Sequence, residues 1–162
     1  ERAGVAHIAL TRPAWVAGPG DRWTRVTDIE GAVVALAGPA RRVMLALGRM
    51  HVDAFGAQPQ HDYLLRFVDA PDRPPGLPRH HLVVDRGPFD VDGDRRLMAA
   101  HGIEIVVCKN AGGTGAQAKL GAARALGVPV IMIDRPARPA RLEVHVVEDV
   151  LRWLDHGADL GV

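Results

Sequence analysis

One unit recurs along this chain and limits what it can fold into: a short apolar run, a turn, then a segment of helical period. Residues 42–47 (RVMLAL) read as a buried strand, followed by Gly48-Arg49 and a helix-period stretch over 50–55. Residues 104–108 (EIVVC) read as a second strand, followed by a Gly-rich turn and a predicted helix over about 116–126. That helix is predicted to stop at Gly127, because glycine suits the position after a helix end and Pro129 cannot continue one. Val130–Ile133 (VIMI) is then a third strand.

The rest of the chain fits the same alternation. A strand is predicted at 23–26, and Asp28 is positioned to cap a helix over 29–36. Residues 62–68 and 81–84 carry the β-branched and aromatic residues of strands. Asp90 or Asp92 caps a helix reaching Ala100, ended by Gly102. Residues 142–146 form a further strand, and 147–155 place Val147, Val150, Leu151 and Leu154 on one helical face. Strands alternating with helices specify an α/β fold of Rossmann-like, mainly parallel sheet layers. In such sheets ligands bind beyond the C-terminal ends of the strands. Three turns are singled out on that ground: Gly48-Arg49, the segment 109–115, and Asp134-Arg135. Four prolines in 69–78 mark a lobe boundary or a surface crossover. The expected organisation is therefore 1–68, a linker at 69–78, and a C-terminal α/β lobe at 79–162.

Bulk properties exclude more than they assign. The 162 residues carry a net charge of +1, so the overall field favours neither nucleic acid nor a membrane surface. No stretch approaches the roughly 20 apolar residues that span a bilayer. Cys108, the one cysteine, sits in an apolar run and has no partner for a disulfide, which fits a cytoplasmic setting. The start Glu1-Arg2-Ala3-Gly4 has no signal-peptide layout. The eight histidines show neither H-x-x-x-H nor HExxH spacing, which argues against a metal site. A Gly-x-Ser-x-Gly elbow is also missing, so nucleophilic hydrolysis has no support.

The segment 108–119 (CKNAGGTGAQAK) is the richest in chemistry. It lies between a strand and a helix, where unpaired N–H groups and the helix dipole favour an anion. Gly112, Gly113 and Gly115 allow positive φ and close backbone approach. Thr114 is expected to cap the helix, while Lys109 and Lys119 supply point charges. The segment matches neither a Walker A loop nor G-x-G-x-x-G, and a plain βα turn with solvated lysines is the competing reading. Arg49, Arg86 (before the Gly87-Pro88 turn signal) and Arg135 (before Pro136) all follow strands. Together they describe a rim for carboxylate or phosphate, and each alone describes a surface salt bridge. Trp15 and Trp23 suit core or lobe-interface packing.

Taken in order, several of these pieces resemble the precorrin-6A reductase family of corrin biosynthesis. They are Arg12-Pro13-Ala14-Trp15, Gly20-Asp21-Arg22-Trp23, Leu47-Gly48, Arg86-Gly87-Pro88-Phe89 and Lys109-Asn110-Ala111-Gly112-Gly113. Lys119-Leu120-Gly121-Ala122-Ala123-Arg124, Gly127-Val128-Pro129-Val130 and Arg135-Pro136 complete the set. The family usually has Ser where Ala111 stands, and Gly115 is an extra glycine. The resemblance implies a two-lobed α/β enzyme with a ligand cleft between the lobes. It implies NADPH as hydride source and precorrin-6A, a polycarboxylate tetrapyrrole, as substrate. The cobalt-containing analogue is the alternative substrate, and a non-catalytic anion-binding fragment the alternative role. A Gly-Gly-Thr turn after a first strand, usual at the family's start, is absent here, which implies a missing N-terminal lobe that completes the site. On this resemblance Gly48, Arg49, Arg86, Gly87, Asn110, Gly112, Gly113, Thr114, Lys119, Arg135 and Pro136 hold cofactor or substrate. Lys109 does so too, and it is the candidate for a proton donor that the resemblance itself leaves unassigned.

Overall fold

The computed structural model describes residues 6–158, so the opening Glu1–Gly4 reading lies outside the described residues. The chain forms two compact units, Trp15–Pro136 and a smaller one made of Glu1–Ala14 with Ala137–Val162. The smaller unit pairs β1 (Ala9–Leu10) in parallel with a second short strand, Glu143–Val144, and carries the helix Val147–Ala158.

The larger unit holds a six-stranded sheet. Its members are β2 (Trp23–Val26), β3 (Arg42–Ala46), β4 (Asp62–Phe67), β5 (His80–Val84), β6 (Ile105–Lys109) and β7 (Val130–Ile133). All neighbours are parallel, in the order β2-β7-β6-β3-β4-β5. The four inner strands are buried almost end to end because both faces are covered, and their near-continuous apolar runs reflect it. The period of two divides the core. Val43, Leu45, Tyr63, Leu65, Val107 and Ile131 pack on one side with α1 (Ile29–Ala35) and a 3-10 helix, Arg49–Ala57. Met44, Leu64, Val106, Cys108 and Met132 pack on the other with α2 (Val91–Ala100) and α3 (Ala118–Leu126).

Local signals explain the helix ends. Asp28 and Asp90 cap α1 and α2 by accepting from the N–H of Gly31 and Gly93. Gly127 closes α3 with φ +65°. One expectation fails: Thr114 does not cap α3. The helix starts after Gln117, which makes no side-chain cap, and the exposed Thr114 contributes only its carbonyl, to the Gln117 N–H. The Gly-rich turn continues past Thr114, so its hydroxyl lies too early in the chain to reach the first helical turn. The proline-rich segment 69–78 connects β4 to its neighbour β5 within the one sheet.

Candidate functional site

From β3 the chain builds outward to β4 and β5. It then returns by α2 to lay β6 on the other side of β3, and moves away through α3 to β7. The connections leaving β3 and β6 therefore diverge to opposite faces, and the gap at their C-terminal ends is where a parallel sheet offers a ligand crevice. Gly48 and Arg49 leave β3 at this point, and Lys109 to Gly113 leave β6.

The turn after β6 is held by its carbonyls. Buried Asn110 exchanges two bonds with the Trp15 backbone, accepting from its N–H at 2.8 Å and donating to its carbonyl at 2.9 Å. The Trp15 indole N–H donates to the Gly113 carbonyl at 2.6 Å. Arg135 donates to the carbonyls of Asn110 and Ala111, each at 2.9 Å. Gly112 and Gly113 take φ of +69° and +70°, which an L side chain resists, whereas Gly115 stays out of that region. With these carbonyls engaged, the N–H groups of residues 112–116, which lead into α3, carry no backbone partner among the described residues. Such an array favours an anion.

Lys109 is exposed, and its Nζ lies 2.7 Å from Nε2 of His51, across the divergence in the first turn of the 3-10 helix. At that distance one nitrogen must offer a lone pair. Exposed Arg49 has no carboxylate in ion-pair distance among the described residues. Gly48, Arg49 and Lys119 come together with Arg66, Phe67, Asp69, Phe89 and Ala116 around a cavity of about 510 Å³. Lys119 is the surprise: it is only 6% exposed, on the inner face of α3 beside Leu120, Ala122 and Ala123. Its Nζ donates to the Ala116 carbonyl and lies 4.9 Å from the Trp15 ring centroid. Burial above all holds its pKa below the usual lysine range.

Other predicted residues stand apart. Arg86, next to Gly87, pairs with Asp69 at 2.9 Å with both side chains over 70% exposed, so its charge is already answered at the surface. Asp134 pairs with Arg25, and exposed Pro136 ends the larger unit. Trp15 is buried, as its bulk suggests, and Phe89 folds back beneath the Arg66 guanidinium, 3.7 Å from its ring centroid. Cys108 is fully buried and its thiol is pushed up to about 11 by desolvation, which makes it an inert core residue. Among the described residues no helix is long and apolar enough to cross a membrane.

Three residues escape sequence reasoning. His51 has no motif around it. Asp94, also buried, pairs with Arg66. Arg66 did carry a signal: in DYLLRF it shares the period-two face of Leu64, pointing a cation into the α2–α3 side of the core.

The family profile described as "Precorrin-6x reductase CbiJ/CobK" matches residues 1–155. A precorrin-6A reductase of Rhodobacter capsulatus is 54% identical over 158 residues, covering 97% of this chain and 63% of the relative. One from a Sinorhizobium species is 44% identical over 135 residues, covering 83% and 52%. A solved structure titled CobK precorrin-6A reductase superposes with a TM-score of 0.92 at 54% identity, covering 97% of this chain and 65% of that one. The chain thus spans under two thirds of the length of each. A match over nearly every residue, in sequence and in backbone, leads to one conclusion: the chain belongs to the precorrin-6x reductase CbiJ/CobK family.

Proposed function

We propose that this chain is the ligand-gripping part of a reductase that transfers a hydride from NADPH to a ring double bond of precorrin-6A. The observation that carries the reading is the anion-ready edge where the connections from β3 and β6 part, with Arg49, Lys109 and the N–H groups of 112–116 along it. A polycarboxylate macrocycle suits such a receptor, because guanidinium and ammonium groups bind carboxylates through charge-assisted hydrogen bonds. NADPH supplies the hydride itself, so the protein needs no nucleophile or metal of its own. The turn has the chemistry for a phosphate or a carboxylate, and the absence of G-x-G-x-x-G favours the substrate carboxylate here.

In this reading the anion sits on the N–H groups of 112–116 while Lys109 and Arg49 grip from the two sides. Arg135 acts on the turn rather than on the ligand, since its guanidinium is spent on the carbonyls of Asn110 and Ala111. Arg86, paired with Asp69, joins the rim only by exchanging that partner. In this reading the further length that the relatives have beyond this chain would complete a cleft that also holds NADPH.

The test follows NADPH absorbance on adding precorrin-6A to this chain and to a form extended to the length of its relatives. Oxidation by the extended form is expected, and its failure to oxidise NADPH sinks the reading. Oxidation by the extended form alone identifies this chain as a binding lobe. Repeating the assay with the cobalt-containing analogue decides which substrate is preferred.

A further inference from the structure

We propose that Lys119 donates the proton that completes the ring reduction, an inference that rests on the reductase reading. Reduction of a carbon–carbon double bond needs two additions. Hydride from the nicotinamide forms one C–H bond and leaves the cofactor oxidised. The electron pair of the former double bond then takes a proton at the neighbouring carbon, forming the second C–H bond. The N–H bond of the ammonium breaks in that step, and the neutral amine left behind regains its proton from solvent.

Lys109 was the residue the motif suggested for this task, but its position fits poorly. It is exposed and tied to His51, so water competes for its proton. Lys119 meets the geometric demands better. It lines the cavity at the C-terminal edge with Arg49, and Ala116, the acceptor of its hydrogen bond, lines it too. It stands in the first turn of α3, where the helix dipole disfavours a cation. Among the described residues no carboxylate bonds it. The groups facing it, among those same residues, include Arg66 of β4, Asp94 of α2, Cys108 of β6 and the Trp15 ring. Asp94 is engaged by Arg66, so its charge is largely answered. A buried ammonium held by one carbonyl and a ring face releases its proton more readily than a solvated one, which suits a donor to carbon. The lowered pKa agrees with this picture.

The experiment uses the extended protein and two variants, Lys119→Met and Lys119→Arg. Lys119→Met is expected to lower kcat about 100-fold or more while KM stays within about threefold. Lys119→Arg keeps the charge but holds its proton too tightly to donate it, so it is expected to be equally slow. Wild-type kcat should fall with rising pH below the range where ordinary lysines deprotonate, because the acid must carry its proton. A second readout is independent of turnover: Nζ and Cε NMR signals of Lys119 should titrate below those of surface lysines. Titration in the ordinary range overturns the proposal, as does full activity in Lys119→Arg, or a raised KM at unchanged kcat in Lys119→Met. An inactive wild type sinks the reductase reading and this proposal with it. An active wild type with equally active variants sinks only the role of Lys119.

Discussion

The two turns that face each other across the sheet are built on opposite plans. The turn after β6 is braced from outside: Trp15 and Arg135 hold its carbonyls, two glycines bend it through positive φ, and its N–H groups are left open. The turn after β3 braces itself. Gly48 sits at φ −66°, which any residue adopts, and the 3-10 helix beyond it is pinned by buried Val52 and Phe55. Met50 and Arg49 stand outward from it, Met50 at 86% exposed. One turn thus offers backbone donors that are fixed before a ligand arrives, and the other offers side chains. Donors that need no rearrangement lose little on binding, while a mobile arginine gives up rotamer entropy. The site proposed above would therefore combine a rigid cradle with an adaptable clamp.

Substitutions can break this contrast, and the largest effect is expected on the braced side. Trp15→Ala removes core packing, the bond to Gly113 and the ring beside Lys119, and should cost about 3–5 kcal/mol in denaturant unfolding. A loss below about 1 kcal/mol, typical of surface changes, would mean that the turn holds itself. Asn110→Ala leaves the Trp15 N–H and carbonyl without partners in a buried setting, for an expected loss of about 2 kcal/mol. The two glycines give the sharpest comparison. Gly113→Ala is forced into positive φ and should cost about 1–2 kcal/mol. Gly48→Ala meets nothing within 4 Å and should be neutral or stabilising by about 0.4–1 kcal/mol. Equal melting temperatures for these two variants would erase the distinction. The smallest stability change belongs to Arg49→Ala, within about 0.5 kcal/mol, yet it should weaken binding of a polycarboxylate in calorimetry. Unchanged affinity would leave the clamp without its arginine.

The same contrast applies to two ion pairs near the cavity. Arg66–Asp94 has side chains 9% and 3% exposed, and removing one partner strands a buried charge at a cost of about 3–5 kcal/mol. Arg86–Asp69 is open to water and should contribute under about 1 kcal/mol. Of these arginines the motif pointed to Arg86, whereas the packing makes Arg66 the one that shapes the cavity.

Much of this architecture was legible because its signals are local. The runs VIMI and WTRV became strands at the expected residues, Asp28 capped α1, and Gly127 closed α3, since period, caps and breakers act within a few residues. The turns Gly48-Arg49, 109–115 and Asp134-Arg135 likewise stand at the C-terminal ends of β3, β6 and β7, as the strand–turn–helix alternation implies. What the sequence hid depends on residues distant in the chain. Trp15 meets Asn110 and Gly113 across more than 90 residues, and His51 meets Lys109 across 58.

For the Gly-rich turn, then, the sequence by itself determined that a bend with open N–H groups would stand between a strand and a helix. Glycine conformation and helix polarity are properties of the local backbone. Tertiary structure alone decided what surrounds it: which carbonyls are tied down, that Arg135 serves the turn, and that Lys119 is buried while Lys109 is not. Those outcomes depend on which strands become neighbours, and the order β6-β3 is set by the packing of helices on both faces rather than by any short segment.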